Sequence, residues 1–386
     1  MKKIIAIHNA QLVLERGILW NGVLLVEDDV IVRVGSSRDV EIPEDALRID
    51  GEGAYVGPGF VDIHVHGGNG FSTCFQTIEA AKHFLRHGTT TLLATPSYSL
   101  NYEKFLSAIR SVKEAIKDAP TVRGIYMEGP YTNPNYGANK HINPWRGPIL
   151  PEQYRALVDE AGSLAKVWAI APERDNLLPF LEYARKVNPK VKFAVGHSQA
   201  TPAQIRALGK YRPTSHTHIT NATGRLPVPA GTRGVGPDEH CFMEPEIYAE
   251  MISDSCGIHV CPDMQKLVLQ IKGIHHTILI TDSTTLDNPN PPAFSHVTDL
   301  NFDENGNLAG SRLTMDQACR NVMASTGCGI AEAFRMASVN PARALDMDEV
   351  GSVEVGKKAD LVFVDDQFRV KKVMLRGELC SFEEGR

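Results

Sequence analysis

Apolar runs of about four residues recur along the middle of the chain at intervals of roughly 25 to 40 residues, the size of a strand-plus-helix unit. They are Val61–His64, Thr91–Ala94, Gly124–Met127, Val167–Ile170, Lys192–Val195, Ser215–His218, Glu250–Ser253 and Thr277–Ile280. Most are followed by a segment with helical spacing. Phe75–His87 and Asn101–Asp118 carry that period, and Thr201-Pro202 opens another helix with Thr as N-cap and Pro in its first turn. Eight buried strands alternating with helices predict a (β/α)8 TIM barrel. The alternative, an open doubly wound sheet, finds no Gly-rich phosphate loop in its support.

The two ends have a different pattern. Lys3–Ala6, Gly17–Trp20, Gly22–Val26 and Val30–Val34 read as short strands, with Asn21-Gly22 as a hairpin turn between the second and third. Leu361–Val364 and Val370–Leu375 follow the same style around Asp365-Asp366. Both ends are expected to pair into one small β-sandwich domain. The expected organisation is 1–55 and 345–386 for that domain and 56–344 for the barrel.

At 386 residues one large barrel with a small appendage fits the length. A net charge of −6 argues against generic binding to nucleic acid or an acidic membrane, but leaves room for a small anionic substrate. The apolar start Ile4–Ile7 follows two lysines as a signal peptide would. His8, Asn9 and Gln11 interrupt it, and a first strand is the expectation. No stretch reaches the ~20 apolar residues needed to span a bilayer. The seven cysteines are scattered and never form a CxxC pair, which suits a reduced cytoplasm better than a disulfide framework.

The chemistry gathers where the strands end. His64 and His66 close the first run, and side chains two apart on a strand point the same way. Glu128 follows the third run, His197 the fifth, His218 the sixth and Asp282 the eighth. Singly each has a plain alternative. Glu128 could be a solvated loop carboxylate, and Asp282 before Ser283-Thr284 could be a helix cap. Together they end strands of one ring on the face where barrel active sites lie. Imidazole and carboxylate suit zinc, iron, cobalt, nickel or manganese. Asp282 is then the candidate base for the attacking water, and Glu128 could bridge one ion held by His64, His66 and Asp282 and another held by His197 and His218. His216-Thr217-His218 is a second His-x-His. His218 is the chosen ligand, with His216 an outer partner or a packed side chain.

These residues carry a resemblance. The chain resembles the amidohydrolase superfamily and, within it, the N-acetylglucosamine-6-phosphate deacetylases, over essentially its whole length. The segments that carry it are Pro58-Gly59-Phe60-Val61-Asp62-Ile63-His64-Val65-His66-Gly67, Met127-Glu128-Gly129-Pro130-Tyr131, Gly196-His197-Ser198-Gln199-Ala200-Thr201, Thr217-His218-Ile219-Thr220-Asn221-Ala222, Gly257-Ile258-His259-Val260, Ile280-Thr281-Asp282 and Leu308-Ala309-Gly310-Ser311. The resemblance implies one or two divalent ions, zinc first among them. It implies an amino-sugar phosphate substrate and a homodimer. It also implies substrate contacts from Asn221, Ala222, His259, Leu308 and Ala309, with Arg233 or Arg225 on the phosphate. Three departures fall in the implied substrate pocket. Asn139 stands where the family has a His, with His141 two residues on; Thr223 replaces a Met; Cys256 replaces the Asp of Asp-Gly-Ile-His. Another N-acetyl hexosamine phosphate or an N-acyl amino acid is therefore the alternative substrate. A deaminase lacks support because no His-x-x-Glu follows the fifth run, and a cyclic amidase because Lys166 starts the fourth run and no Lys ends it. A non-catalytic amino-sugar sensor would have no use for Asp282 as a proton carrier.

Overall fold

The computed structural model describes residues 3–226 and 228–382. Its centre is a ring of eight parallel strands, each paired with its neighbours in chain order. They are β1 (Phe60–Val65), β2 (Thr89–Ala94), β3 (Val122–Met127), β4 (Ala165–Ile170), β5 (Lys192–Val195), β6 (Ser215–His216), β7 (Tyr248–Met251) and β8 (Thr277–Leu279). Each of the eight predicted runs contributes a strand to this ring, although the sixth is strand only at Ser215-His216 and the seventh ends at Met251. The ladder stops between β8 and β1, and short bonds just beyond β8 complete the closure. Thr281 Oγ1 donates to Asp62 Oδ2 at 2.5 Å, the Asp282 amide to the His64 carbonyl at 3.0 Å, and the His66 amide to the Ser283 carbonyl at 2.8 Å.

The helices follow from local chemistry. α1 (Thr77–Arg86) and α2 (Tyr102–Ala115) fall inside the predicted segments. In α2, Phe105, Ala108, Ile109 and Val112 are buried, the i, i+3, i+4, i+7 stripe of a helix packed on a sheet. Asn101 caps it by accepting from the Lys104 amide. After β5, Thr201 and Gln204 form the reciprocal capping box of Pro202–Arg206.

The two chain ends meet. Ile4–Leu14, Gly17–Glu27, Val30–Ser36, Tyr55–Pro58, Leu361–Val364, Val370–Leu375 and Glu378–Leu379 join in one hydrogen-bonded sheet, with Leu47–Asp50 alongside the first strand. Tyr55–Pro58 is the seam, antiparallel to Leu361–Val364 and parallel to the first strand. Ile5, Leu12, Leu24, Val26, Leu361, Phe363 and Met374 share one buried cluster, so apolar side chains from both ends pack together. Phe60, Phe334 and Phe368 lie 5.1 to 5.9 Å apart and fasten this unit to the barrel.

One predicted turn is corrected. Asn21-Gly22 lies within a single strand, Gly17–Glu27, and the chain reverses instead at Glu15-Arg16 and Asp28-Asp29. Asn21 takes a left-handed φ of 50°, which Asn tolerates better than most residues, and the pairing with Ile4–Leu14 shifts register there. The same preference that makes Asn-Gly a hairpin signal here serves a bulge. No helix among the described residues is long and apolar enough to cross a membrane, and all seven cysteines are free.

Candidate metal centre

The six predicted ligands converge at the C-terminal mouth of the ring. Glu128, one residue past β3, occupies the middle. Its Oε1 lies 2.8 Å from His197 Nε2, 3.4 Å from His218 Nε2 and 3.6 Å from His64 Nε2, while Oε2 lies 3.2 Å from His66 Nε2. Asp282 Oδ1 closes the other side at 3.6 Å from His64 and 3.3 Å from His66. Donor atoms of His64, His66 and Glu128, and separately of Glu128, His197 and His218, all lie within 4.8 Å of one another. Two half-sites thus share one carboxylate.

The backbone pays for this aim. His197, His218 and Asp282 have φ of 45°, 32° and 47°, the left-handed region that side-chain-bearing residues rarely enter. Each stands just past a strand, where the chain must turn outward while the side chain stays over the ring. His66 Nδ1 meets the Thr95 carbonyl at 2.9 Å and His218 Nδ1 the Asn221 carbonyl at 3.1 Å, so a proton on each Nδ1 leaves Nε2 facing the centre. His64 is fully buried and neither of its ring nitrogens has a hydrogen-bond partner. Such a donor set fits a cation better than a packed core.

The electrostatics agree. Burial opposes charge throughout, yet the Glu128 and Asp282 carboxylates push His66 up to about 10. Against its own burial, Glu128 is held well below the usual range by His66 and His197. Asp282 is likewise buried, but the hydrogen bond from His66 and the charges of His64 and His66 keep its carboxyl low. Burial also lowers His197, while Glu128 and Asp282 raise His218 against its burial, so the carboxylates favour positive charge at His66 and His218.

His216 does not join the centre. Its Nε2 lies 3.3 Å from His240 Nδ1 outside the ring, and the two imidazoles stack at 5.4 Å. Residues 64 and 66 share a side because β1 runs to Val65. β6 ends at His216, and the turned backbone at His218 breaks the alternation.

A cavity of about 520 Å³ opens above Glu128. Asn139, His141, Asn221, Ala222, His259, Leu308 and Ala309 all line it. Asn139 has φ 52° and its amide donates to Asp303 Oδ2 at 3.3 Å; His141 is half-exposed near Glu304. Both candidates for the expected His position therefore reach the cavity. Arg233 does not. It is exposed and its Nη2 lies 3.2 Å from Glu239 Oε1; Arg225 is exposed as well, and neither lines the cavity. Arg233 lies on an exposed loop, where its guanidinium is solvated and paired with Glu239. Thr223 also turns away, its hydroxyl donating to Asp238 at 2.7 Å. Trp145 is buried against Phe105 and Tyr131, with Nε1 donating to the Leu100 carbonyl, so it anchors its loop.

Sequence reasoning missed several supporting groups. Glu173, beyond β4, accepts from Ser198 Oγ, the Gln199 amide and Asn133 Nδ2 at 2.7 to 2.8 Å, pinning the turn that carries His197. Tyr98 sets its ring 4.8 Å from His197 and donates to the Ala138 carbonyl. Glu250 lies inside β7, fully buried, bonded to Ser215 and Tyr126 beneath the centre. A carboxylate in an apolar strand is a signal that could have found Glu250. Nothing local marks Glu173 or Tyr98.

Residues 55–380 match the model of the Amidohydrolase family. The chain is 29% identical to the N-acetylglucosamine-6-phosphate deacetylase of Bacillus subtilis (strain 168), over 98% of each. It is 28% identical to the N-acetylgalactosamine-6-phosphate deacetylase of Escherichia coli O157:H7, over 96% of this chain and 98% of that one. Among solved structures, a mutant N-acetyl-D-glucosamine-6-phosphate deacetylase from Mycobacterium smegmatis in complex with N-acetyl-D-glucosamine-6-phosphate superposes with a TM-score of 0.82 at 27% identity, covering 98% of this chain and 99% of that one.

Proposed function

The chain belongs to the amidohydrolase family, and on that footing we propose that it hydrolyses N-acetyl-D-glucosamine 6-phosphate to D-glucosamine 6-phosphate and acetate. The observation that carries this reading is the convergence of four imidazoles and Asp282 around Glu128 at the base of one cavity. His64, His66, Glu128 and Asp282 would hold one divalent ion, and Glu128, His197 and His218 a second, zinc being the first choice for this nitrogen and oxygen set. An ion bound there supplies a water of lowered pKa, toward ~7 from 15.7, and polarises a carbonyl.

The chain's own residues do the rest. Asp282, kept anionic by its neighbours, takes a proton from the attacking water as its oxygen bonds to the acetyl carbon. It returns that proton to the sugar nitrogen as the carbon–nitrogen bond breaks, leaving acetate and the amine. The sugar phosphate rests on the amides of Asn221 and Ala222, where Ala222 has a left-handed φ of 52° and successive amides can face one anion. Leu308 and Ala309 line the same cavity. The substrate is then a small phosphorylated amino sugar, the assembly a homodimer and the location the cytoplasm, in keeping with the free cysteines.

A second sugar has its own support. The galactosamine-type relative is 28% identical where the glucosamine-type one is 29%, and Asn139 and Lys140 line the cavity where the glucosamine family has a His. The test is acetate release from N-acetylglucosamine 6-phosphate, N-acetylgalactosamine 6-phosphate and their unphosphorylated forms, with metal content measured on the same sample. Fastest kcat/KM on the glucosamine phosphate supports the reading. Release from neither phosphorylated sugar would end it.

A further inference from the structure

We propose that Asp254 is a positioning residue for His259, holding a proton on Nδ1 so that Nε2 is left bare to accept a hydrogen bond from a hydroxyl of the substrate. The inference rests on the deacetylase reading above for the identity of that hydroxyl, and on the hydrogen-bond network around His259 for the rest.

His259 Nδ1 lies 3.2 Å from Asp254 Oδ2. The same carboxylate accepts from the backbone amides of His259 at 2.8 Å, Ile258 at 2.9 Å and Cys256 at 3.1 Å. A carboxylate receiving three amides has a fixed orientation, and so therefore does the atom that faces the imidazole. Burial notwithstanding, the bonds from His259 and these amides keep Asp254 below the usual carboxylate range, so it accepts and does not donate. Both side chains are almost wholly buried, 3% exposed for His259 and 0% for Asp254. His259 Nε2 has no hydrogen-bond partner, although it is buried and its residue lines the cavity. A buried ring nitrogen without a partner, one bond network away from a carboxylate that fixes the opposite nitrogen, is a prepared contact.

The sequence concealed this. The expected acid three residues before the His is Cys256, which is exposed and contributes only its amide. The acid comes instead from two positions further back, through a turn at Gly257, whose φ is 63° and where any Cβ would meet Pro262 Cδ at 2.6 Å. The loop has supports of its own. Ser255 donates twice to Asp299, at 2.8 and 2.9 Å, and Asn321 donates to the Ser253 carbonyl.

Two measurements test the proposal. The first is the nitrogen-15 spectrum of histidine-labelled wild-type protein at neutral pH, with the His259 signals identified by their loss in His259→Gln. The expected pattern is a protonated Nδ1 and a bare Nε2; the opposite tautomer, or a doubly protonated ring, overturns it. The second is a double-mutant cycle on acetate release with Asp254→Asn and His259→Gln. Asp254→Asn should raise KM about tenfold with a smaller effect on kcat, the cost of one well-placed hydrogen bond. In the His259→Gln background it should add less than about twofold. An equal penalty in both backgrounds would mean that Asp254 only holds the turn. Should wild-type protein release no acetate, the deacetylase reading fails while the spectrum still decides the tautomer. Should Asp254→Asn not fold, the wild-type spectrum decides alone.

Discussion

The amide of Asp282 donates to the carbonyl of His64 at 3.0 Å. With the bonds from Thr281 to Asp62 and from His66 to Ser283, this bond closes the barrel between its last and first strands, and it sets the proposed proton carrier beside a proposed ligand. Asp282 Oδ1 comes to 3.6 Å from His64 Nε2 and 3.3 Å from His66 Nε2 by the same stroke. Closure of the fold and assembly of the site are one event, so stability and chemistry are coupled at the mouth of the ring.

Asp282→Asn should lower kcat by roughly 10²- to 10⁴-fold, the range for losing a positioned base, while the fold persists because the backbone bond remains. The check is kcat from acetate release beside thermal unfolding. An unchanged kcat would remove Asp282 from the mechanism.

Metal removal should abolish turnover and lower the melting temperature. At ion concentrations a hundred times Kd, binding contributes about 2.7 kcal/mol. Dialysis against a chelator followed by zinc titration, read by calorimetry and acetate release together, should restore both. Glu128→Gln, which weakens both half-sites, should bind less metal and show a smaller zinc-dependent rise. A melting temperature indifferent to chelation and zinc would argue against the centre.

Glu173→Gln should weaken metal retention without touching an ion directly. The carboxylate holds Ser198 Oγ, the Gln199 amide and Asn133 Nδ2 around the turned backbone of His197. Supporting residues of this kind are worth about 10- to 100-fold in metal affinity. Competition with a chromophoric chelator measures it, and affinity equal to wild type counts against the role.

Asp316 gives a pH dependence with a defined sign. It is buried, which alone would raise its pKa, but hydrogen bonds from His87 and Thr314 and the charges of His87 and Arg320 hold it below 3.8. The unfolded chain thus takes up this proton first as acid is added. The stabilisation is complete above the unfolded pKa and is lost as pH falls through the folded one. Asp316→Asn should lower stability in urea unfolding at pH 7, and the gap to wild type should narrow as pH falls through the folded-state value of Asp316, below the ordinary carboxylate range. A constant gap across that range would contradict the assignment.

The aromatic joint between the two units is a stability determinant. Phe334 is 1% exposed and packs on Phe60 and Phe368. Phe334→Ala should cost about 3–5 kcal/mol. Gly57→Ala should also destabilise, because its Cβ would lie 2.4 Å from the Phe334 ring. Chemical denaturation of both variants is the measure, and losses under about 1 kcal/mol would show that the joint yields easily.

Much of this molecule was legible before any coordinates. Short apolar runs at regular spacing announce buried parallel strands, and Asn101 and Thr201 announce helix starts, because both signals are local. The candidate ligands were legible because the barrel puts chemistry at strand ends, and strand ends can be read from sequence. Where local rules misled, a competing local option had equal claim. Asn21 could turn or bulge, and only the partner strand chose between them. The sixth run was read as strand through His218, but β6 stops at His216, and only the backbone turn beyond it sends His218 to Glu128 and leaves His216 against His240.

What sequence alone determined, then, was the set of elements and the residue types at their ends. Tertiary structure decided which of those side chains meet. Glu173, Tyr98 and Asp254 have no local mark, since each acts through bonds to segments that approach only after the ring closes. Arg233 carried the right charge in a suggestive place, yet solvent and Glu239 hold it outside the cavity. Side-chain type is written in the chain, whereas distance across the mouth of a barrel depends on where eight loops turn. Those turns are set by hydrogen bonds such as the one from Asp282 to His64, whose partners lie 218 positions apart in the sequence, from 282 to 64.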